Sequence, residues 1–313
     1  MAANPRPVWP GLGYASWRTT VQTLQLWTQI VGKIRLSRTP WVNHGWQVPL
    51  YLSARGLGTS PIPNGSESFE LEFDFVAHRL VCRSSDGGEG SFKLEPQTVA
   101  TFYQRTVRLL GNLGIEVAIN MLPNEVENPI PFHKDLVHAD YDAEAVHRFW
   151  RVLLQADRVF KLFRSSFLGK ASPVHFFWGS FDLAVSRFSG RTAPLHPGAP
   201  GLPEAVAREA YSHEVSSAGF WPGNDVFPHA AFYSYAYPEP PGFRAAPMPP
   251  GAGFDAELGE FILPYDKVRS ARDPQALLLD FLQASYAAAA GAGGWDRAAL
   301  ECTPGRPGIP RAC

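Results

Sequence analysis

The sequence predicts an α+β fold built as two pseudo-symmetric halves, each an antiparallel sheet with flanking helices. Three observations carry this reading. Two stretches have helical periodicity, several short alternating stretches follow each of them, and a spacing of 132 residues lays the first set on the second. At that spacing the apolar stripe Trp17, Val21, Leu24, Trp27 and Val31 falls on Phe149, Leu153, Ala156, Val159 and Phe163. Both stripes recur every three or four residues, as an amphipathic helix requires. The second helix has Asp140 or Asp142 as its N-cap and Glu144 in the first turn, where an acid suits the helix dipole.

Strands follow in the same order in each half. WQVPLYLSARGL (46–57) matches WGSFDLAVSRFS (178–189), pairing Trp46 with Trp178 and Arg55 with Arg187. FELEFDF (69–75) corresponds to YSHEVSS (211–217), and GSFKLEP (90–96) to GEFILPY (259–265). Gly87-Gly88 marks a hairpin, and helical stretches close the halves at about 97–112 and 274–290. An internal repeat of this kind is the reading. It gives a first unit at 1–122, then a linker at 123–140 preceded by a strand at 115–121. A second unit follows at 141–290, and a loose tail at 291–313. The second unit is longer because of Pro- and Gly-rich loops at 191–203 and 238–253, lengths that suit lids or binding loops.

Composition narrows the partners. Of 313 residues 45% are hydrophobic and 18% charged, with a net charge of −1. That supports a packed core and gives no electrostatic footprint for nucleic acid or an anionic membrane surface. Cys82, Cys302 and Cys313 lie far apart without CxxC spacing, and their odd count argues against both a disulfide framework and a cysteine zinc site. The opening MAANPRPVWPGLG does not read as a signal peptide, and no apolar run is long enough for a bilayer. The expectation is a soluble, cytoplasmic protein with a small-molecule partner, no nucleic acid and no membrane; oligomeric state is left open.

The stretch EAYSHEVSSAGFWPG (209–223) carries His213, Glu214, Ser216, Ser217, Ala218 and Gly219 where a strand favours large side chains. Laid on the first unit, Asp182 stands where Leu50 does, His213 where Leu71 does and Ser217 where Phe75 does. Small and polar residues in place of core residues leave volume and groups that need partners. The expectation is a pocket in the second unit walled by Ser180, Asp182, His213 and Ser217. Tyr233 and Tyr235 would add to its lining, and the loops 191–208 and 238–258 would cover it. The alternative is a second unit whose core lies on its other face, with Phe177, Phe181, Leu183 and Val185, leaving Asp182 and His213 to solvent.

Asp182 and His213 are the candidate catalytic pair, because a carboxylate beside an imidazole gives a base active near neutrality. Ser180 lacks the GxSxG elbow of a serine hydrolase. His175, Asp182 and His213 form the candidate set for a divalent metal cofactor, without diagnostic spacing. HKDLVHAD (133–140) reads as a linker and cap segment. Arg55–Glu72 and Arg187–Glu214 read as repeated cross-strand ion pairs. Three functions stay open: binding, with or without conversion, of a small polar molecule; metal-dependent catalysis; and a non-enzymatic interaction role.

The blocks WTQIVGKIRL (27–36), TPWVNHGWQVPLY (39–51), HFFWGSFDLAVSRFSGR (175–191) and YSHEVSSAGFWPG (211–223) resemble a bacterial family defined only as a domain of unknown function. The resemblance spans roughly residues 8 to 290. It implies a widespread soluble protein and supplies no reaction, cofactor or catalytic residue.

Overall fold

The computed structural model describes residues 8–198 and 201–311. The chain begins with helix α1 (Arg18–Leu36) and continues through six strands: β1 (Tyr51–Leu52), β2 (Gly56–Gly58), β3 (Ile62–Asn64), β4 (Glu67–Asp74), β5 (Arg79–Ser84) and β6 (Glu89–Lys93). Helix α2 (Val99–Asn112) closes this half. After a long connection come α3 (Ala143–Arg164), β7 (His175–Phe177), β8 (Asp182–Thr192), α4 (Glu204–Ala210), β9 (His213–Trp221), β10 (Ala231–Tyr237), β11 (Gly253–Asp255) and β12 (Glu260–Pro264). The helices α5 (Tyr265–Arg269), α6 (Pro274–Ala292) and α7 (Arg297–Leu300) follow. Among the described residues this makes seven helices and two six-stranded antiparallel sheets, an α+β fold.

The first sheet runs β1-β2-β4-β5-β6, with β3 also on β4; the second runs β11-β12-β10-β9-β8-β7. Most neighbours are joined as consecutive antiparallel hairpins, the connection such strands make most readily; the exceptions are β2 on β4 and β12 on β10, which leaves β11 at an edge. The sheets meet edge to edge, where Leu50 and Phe176 exchange two backbone hydrogen bonds of 2.9 Å.

Helix termini follow local chemistry. Asp142 caps α3, accepting from the Ala145 N–H at 3.0 Å, with Glu144 beside it and Lys161 and Arg164 in the last turn. Thr98 caps α2 and Asp273 caps α6, where Pro274 occupies the first turn. Helix α1 differs because almost every residue from Thr20 to Arg35 is buried, the mark of a helix enclosed on all sides. Trp17 packs on Phe149 of α3, and Trp27 stacks on Phe102 of α2 at 4.6 Å. This helix is therefore shared between the two halves.

In the first sheet Phe73 and Phe92 pack under Phe102 of α2. In the second, α3 and α6 cover the face carrying Leu183, Val185, Phe220, Phe232 and Phe261, all buried. That disposition corrects the comparison of the halves read from the sequence. Residues 46–57 form a turn, β1 and the following turn, whereas 178–189 form a turn and most of the long strand β8. The 132-residue spacing therefore lays α1 on α3 but, past the helices, sets a short strand with its turns against one long strand. Asp182 and Ser217 lie on the face away from α3 and α6 and do not replace core residues.

Other expectations are also revised. Residues 115–121 join neither sheet; their ends are tied by Ile115 N–H to the Leu110 carbonyl and Phe132 N–H to the Met121 carbonyl. The ion pairs repartner. Arg55 binds Asp74 at 2.6 Å and Glu72 binds Arg83 at 3.1 Å, while Glu214 binds Arg191 at 2.7 Å. Arg187 is fully buried with no carboxylate partner, caged by Phe163, Phe167 and Tyr286 and donating to Ser166 Oγ at 2.9 Å. The expected loose tail is packed: α6 runs to Ala292, Trp295 sits on Tyr286, and Leu168 and Cys302 pair with the opposite backbone. Cys313 lies outside the described residues.

Candidate functional site

The face of the second sheet that α3 and α6 leave open forms the floor of a cleft of about 890 Å3. Alternation along the strands sets its composition, since every second side chain points the same way. From β8 come Asp182, Ala184, Ser186 and Phe188; their neighbours on β9 include Val215, Ser217 and Gly219. Tyr233 and Tyr235 of β10 stand opposite Gly219 and Ser217, and Glu260 of β12 completes the row.

The roof comes mostly from the other half. Gln22, Gln25 and Leu26 of α1, Trp41 to Val48, the connection at 124–128, and α4 with Leu202 and Pro203 all face the floor. Of the loop at 191–208, Leu202, Pro203 and Val206 line the cleft, and residues 199–200 lie outside the described residues. The loop at 238–253 does not line it: its Phe243 packs on Phe254 and Phe261, on the core side of the sheet, and only Leu258 of the wider segment reaches the cleft. The site lies between the halves and not within the second alone.

Asp182 is the central group. It is only 4% exposed, and accepts hydrogen bonds from the hydroxyls of Ser180 and Tyr233. Burial raises its pKa, against the opposing pull of those two bonds. Gly219 makes the Tyr233 bond feasible. A Cβ there would stand 2.3 Å from the Tyr233 hydroxyl and 2.5 Å from the Leu183 carbonyl. Tyr233 crosses the sheet through that gap. Beside it the hydroxyls of Tyr211 and Tyr235 lie 2.8 Å apart, and those of Ser186 and Ser217 2.9 Å apart.

Two further carboxylates flank Asp182. Glu260, partly buried, is pushed up to about 7, mainly by burial and then by the charges of Asp182 and Asp255. Glu125 keeps solvent-accessible surface within the cleft, yet the protein mass around it and then the Asp182 charge push it to about 7 as well. Its position is fixed from α1. Gln29 exchanges two 2.8 Å hydrogen bonds with the Asn124 backbone, and Lys33 donates to the Leu122 carbonyl at 2.8 Å. Glu125 itself adopts a left-handed φ of 54°, unusual for a non-glycine residue. Its carboxylate fills the space over Gly179, where a Cβ would come within 2.0 Å of Oε1.

Of the residues singled out by sequence, Ser180, Asp182, Ser217, Tyr233 and Tyr235 share this cleft. The Asp182–His213 pair is not formed. Asp182 opens β8 next to the end of β9, while His213 begins β9 opposite Thr192, a separation of roughly 25 Å at about 3.3 Å per residue. His213 instead has its ring 5.7 Å from His44 and its Nδ1 3.0 Å from Ser212 Oγ. His175 is buried between Trp46, Tyr51 and Phe177, with neither ring nitrogen hydrogen-bonded. Burial and then the charges of Arg35 and Arg164 hold it at about 3, hence neutral. Among the described residues no three His, Cys, Asp or Glu side chains converge as metal ligands. His175, Asp182 and His213 are three separate places.

Sequence reasoning missed Glu260 and Glu125. Glu260 was within reach, because GEFILP alternates and places Glu260 on the face opposite Phe261 and Leu263. Glu125 sits in the aperiodic NEVEN stretch, which offers no pattern to read.

A family model described only as a family of unknown function (DUF5996) matches residues 9–302, nearly the whole chain. The chain belongs to this family. No curated protein and no solved structure matches it. In this DUF5996 chain no described helix is long and apolar enough to cross a membrane.

Proposed function

We propose that the protein binds a small polar molecule in the cleft between its halves. The observation that carries this is Asp182: a buried carboxylate on the floor of an 890 Å3 cleft, held by two neutral hydroxyls. A concave, mostly apolar site with a few convergent polar groups is the usual form of a ligand site. Blocking the floor tests it. Ligand-observed NMR with a fragment library of mixed charge should give hits on the wild-type chain. They should weaken sharply or vanish in Ser217→Trp, whose indole occupies the floor beside Tyr235 and Ser186, while the circular dichroism spectrum is kept. Hits that survive unweakened in Ser217→Trp would place binding elsewhere.

A second reading, acid–base conversion of that molecule, is favoured by Glu125 and Glu260. Carboxyls pushed up to about 7 are part protonated at neutral pH, which suits proton transfer in either direction. With His213 remote, Asp182, Glu125 and Glu260 are the groups to which this chemistry falls. We also read the two halves as copies of one unit. The support is their shared order of helix, six-stranded antiparallel sheet and helix.

A further inference from the structure

We propose that the molecule the cleft takes is an organic cation, an amine or guanidinium compound, seated by Asp182, Glu125 and Glu260. This rests on the binding role above and assigns its ligand class.

The first argument is the charge of the lining. Among the described residues the cleft presents five carboxylates, Glu125, Glu127, Asp182, Asp225 and Glu260, and neither lysine nor arginine. Asp225 is already engaged by Arg18 at 2.6 Å. The chain as a whole is nearly neutral, with 28 Lys and Arg against 29 Asp and Glu. A lining of five carboxylates against two histidines, His44 and His138, is therefore a local arrangement and not a reflection of composition.

The second argument compares Asp182 with the other buried aspartates. Asp74 is paired with Arg55 at 2.6 Å, Asp135 with His138 at 2.7 Å and Asp157 with Lys161 at 2.6 Å. Each meets the general need of a buried carboxylate for a basic partner. Asp182 is as deeply buried as these and has neutral donors only, the Ser180 and Tyr233 hydroxyls and its own backbone N–H. Asp182 lacks the basic partner that the other three possess, and the cleft leaves room for one to arrive with a ligand.

The third argument separates an organic cation from a metal ion. The carboxylates do not converge on one point, and the cleft is far larger than an ion. Aromatic rings line it, among them Trp41, Trp46, Trp221 and Tyr235. Ring faces attract ammonium and guanidinium groups, and their apolar surface suits a carbon skeleton. An anionic ligand would meet five carboxylates, and the two histidines of the lining are already engaged, His44 by the Ala210 carbonyl and Lys170, and His138 by Asp135.

The test is isothermal titration calorimetry on the full chain with a defined panel. Putrescine, spermidine, choline and arginine serve as cations, glucose and inositol as neutral polyols, citrate as an anion, and magnesium and manganese as metals. The expected result is binding of at least one organic cation, at least tenfold tighter than any polyol or citrate. Asp182→Asn should weaken that binding tenfold or more with the fold retained. Where Asp182→Asn does not fold, Glu260→Gln at a partly exposed position gives the same comparison. Binding of polyols, citrate or metals with no cation bound overturns the proposal and leaves a binding cleft of another specificity. Cation binding unchanged by both variants also overturns it. If no panel member binds at millimolar concentration the proposal fails, and the fragment experiment with Ser217→Trp then decides whether the cleft binds anything.

Discussion

Gly219 shows how much of the site depends on the absence of one methyl group. The Tyr233 side chain passes where a Cβ would be, and the obstructing atom on the other side is the Leu183 carbonyl, part of the neighbouring strand and unable to swing away. Gly219→Ala should push the Tyr233 hydroxyl off Asp182 and cost about 2 kcal/mol, the scale of overpacking a tight interior. Urea denaturation checks this, and in a Tyr233→Phe background, where the displaced bond is already gone, the same substitution should cost measurably less. At this scale the sequence was informative where alternation governs. Strand periodicity puts Tyr233 with Tyr235, and sets Asp182 and Ser217 apart from the apolar face of their own strands; pairing of the strands then brings all four to one face. It failed for His213, because residues on adjacent strands are near only if the register brings them level, and a register is a long-range fact.

Among the elements, α1 links the fold to the site. Its periodicity was legible, but its role was not, since a helix buried all round gives an ordinary amphipathic stripe plus a polar face that solvent should have claimed. Gln29 and Lys33 occupy that polar face and bind backbone of the 122–124 connection. The connection was read as a passive linker because nothing in its composition shows that a helix elsewhere grips it. Gln29→Ala should leave the Asn124 N–H and carbonyl without their partners, costing about 2 kcal/mol. Hydrogen exchange by mass spectrometry should show faster exchange at 122–126, and the circular dichroism spectrum should be unchanged. Unaltered exchange there would mean that Glu125 is held by other contacts. The strand expected at 115–121 was lost for a related reason: apolar alternation signals a surface to bury, and helix packing can bury it as well as a sheet.

For the whole molecule, the acidic cleft sets a pH dependence. The Glu260 carboxyl rises from 4.5 to about 7 on folding, so the folded state holds its proton over a range where the unfolded chain has lost it. The stabilisation is complete below about pH 4.5 and disappears as pH rises through 7. Glu260→Gln removes this term. Relative to wild type the variant should therefore gain stability steadily between pH 4.5 and 7 and then level off. The gain should be about 2 kcal/mol after allowing for the side chain's contact with solvent. Parallel denaturation curves at pH 5 and 8 give the answer; a gain at pH 5 equal to that at pH 8 would remove the basis for it. What the sequence conveyed at this scale was two sheets with helices and an open question about where they meet. The meeting place decides the site, since floor and roof belong to different halves.

The backbone junction of Leu50 with Phe176 has a consequence for assembly. A sheet edge is an open invitation to further strands, and here two such edges, each a very short strand, satisfy one another inside a single chain. Nothing in that pairing requires both partners to come from the same copy. If the connection from 113 to 142 were cut too short to let the halves fold back, each half could close on its counterpart in a second molecule. The exchange would be reciprocal, so the product would be a finite dimer with two complete clefts and no growing fibre.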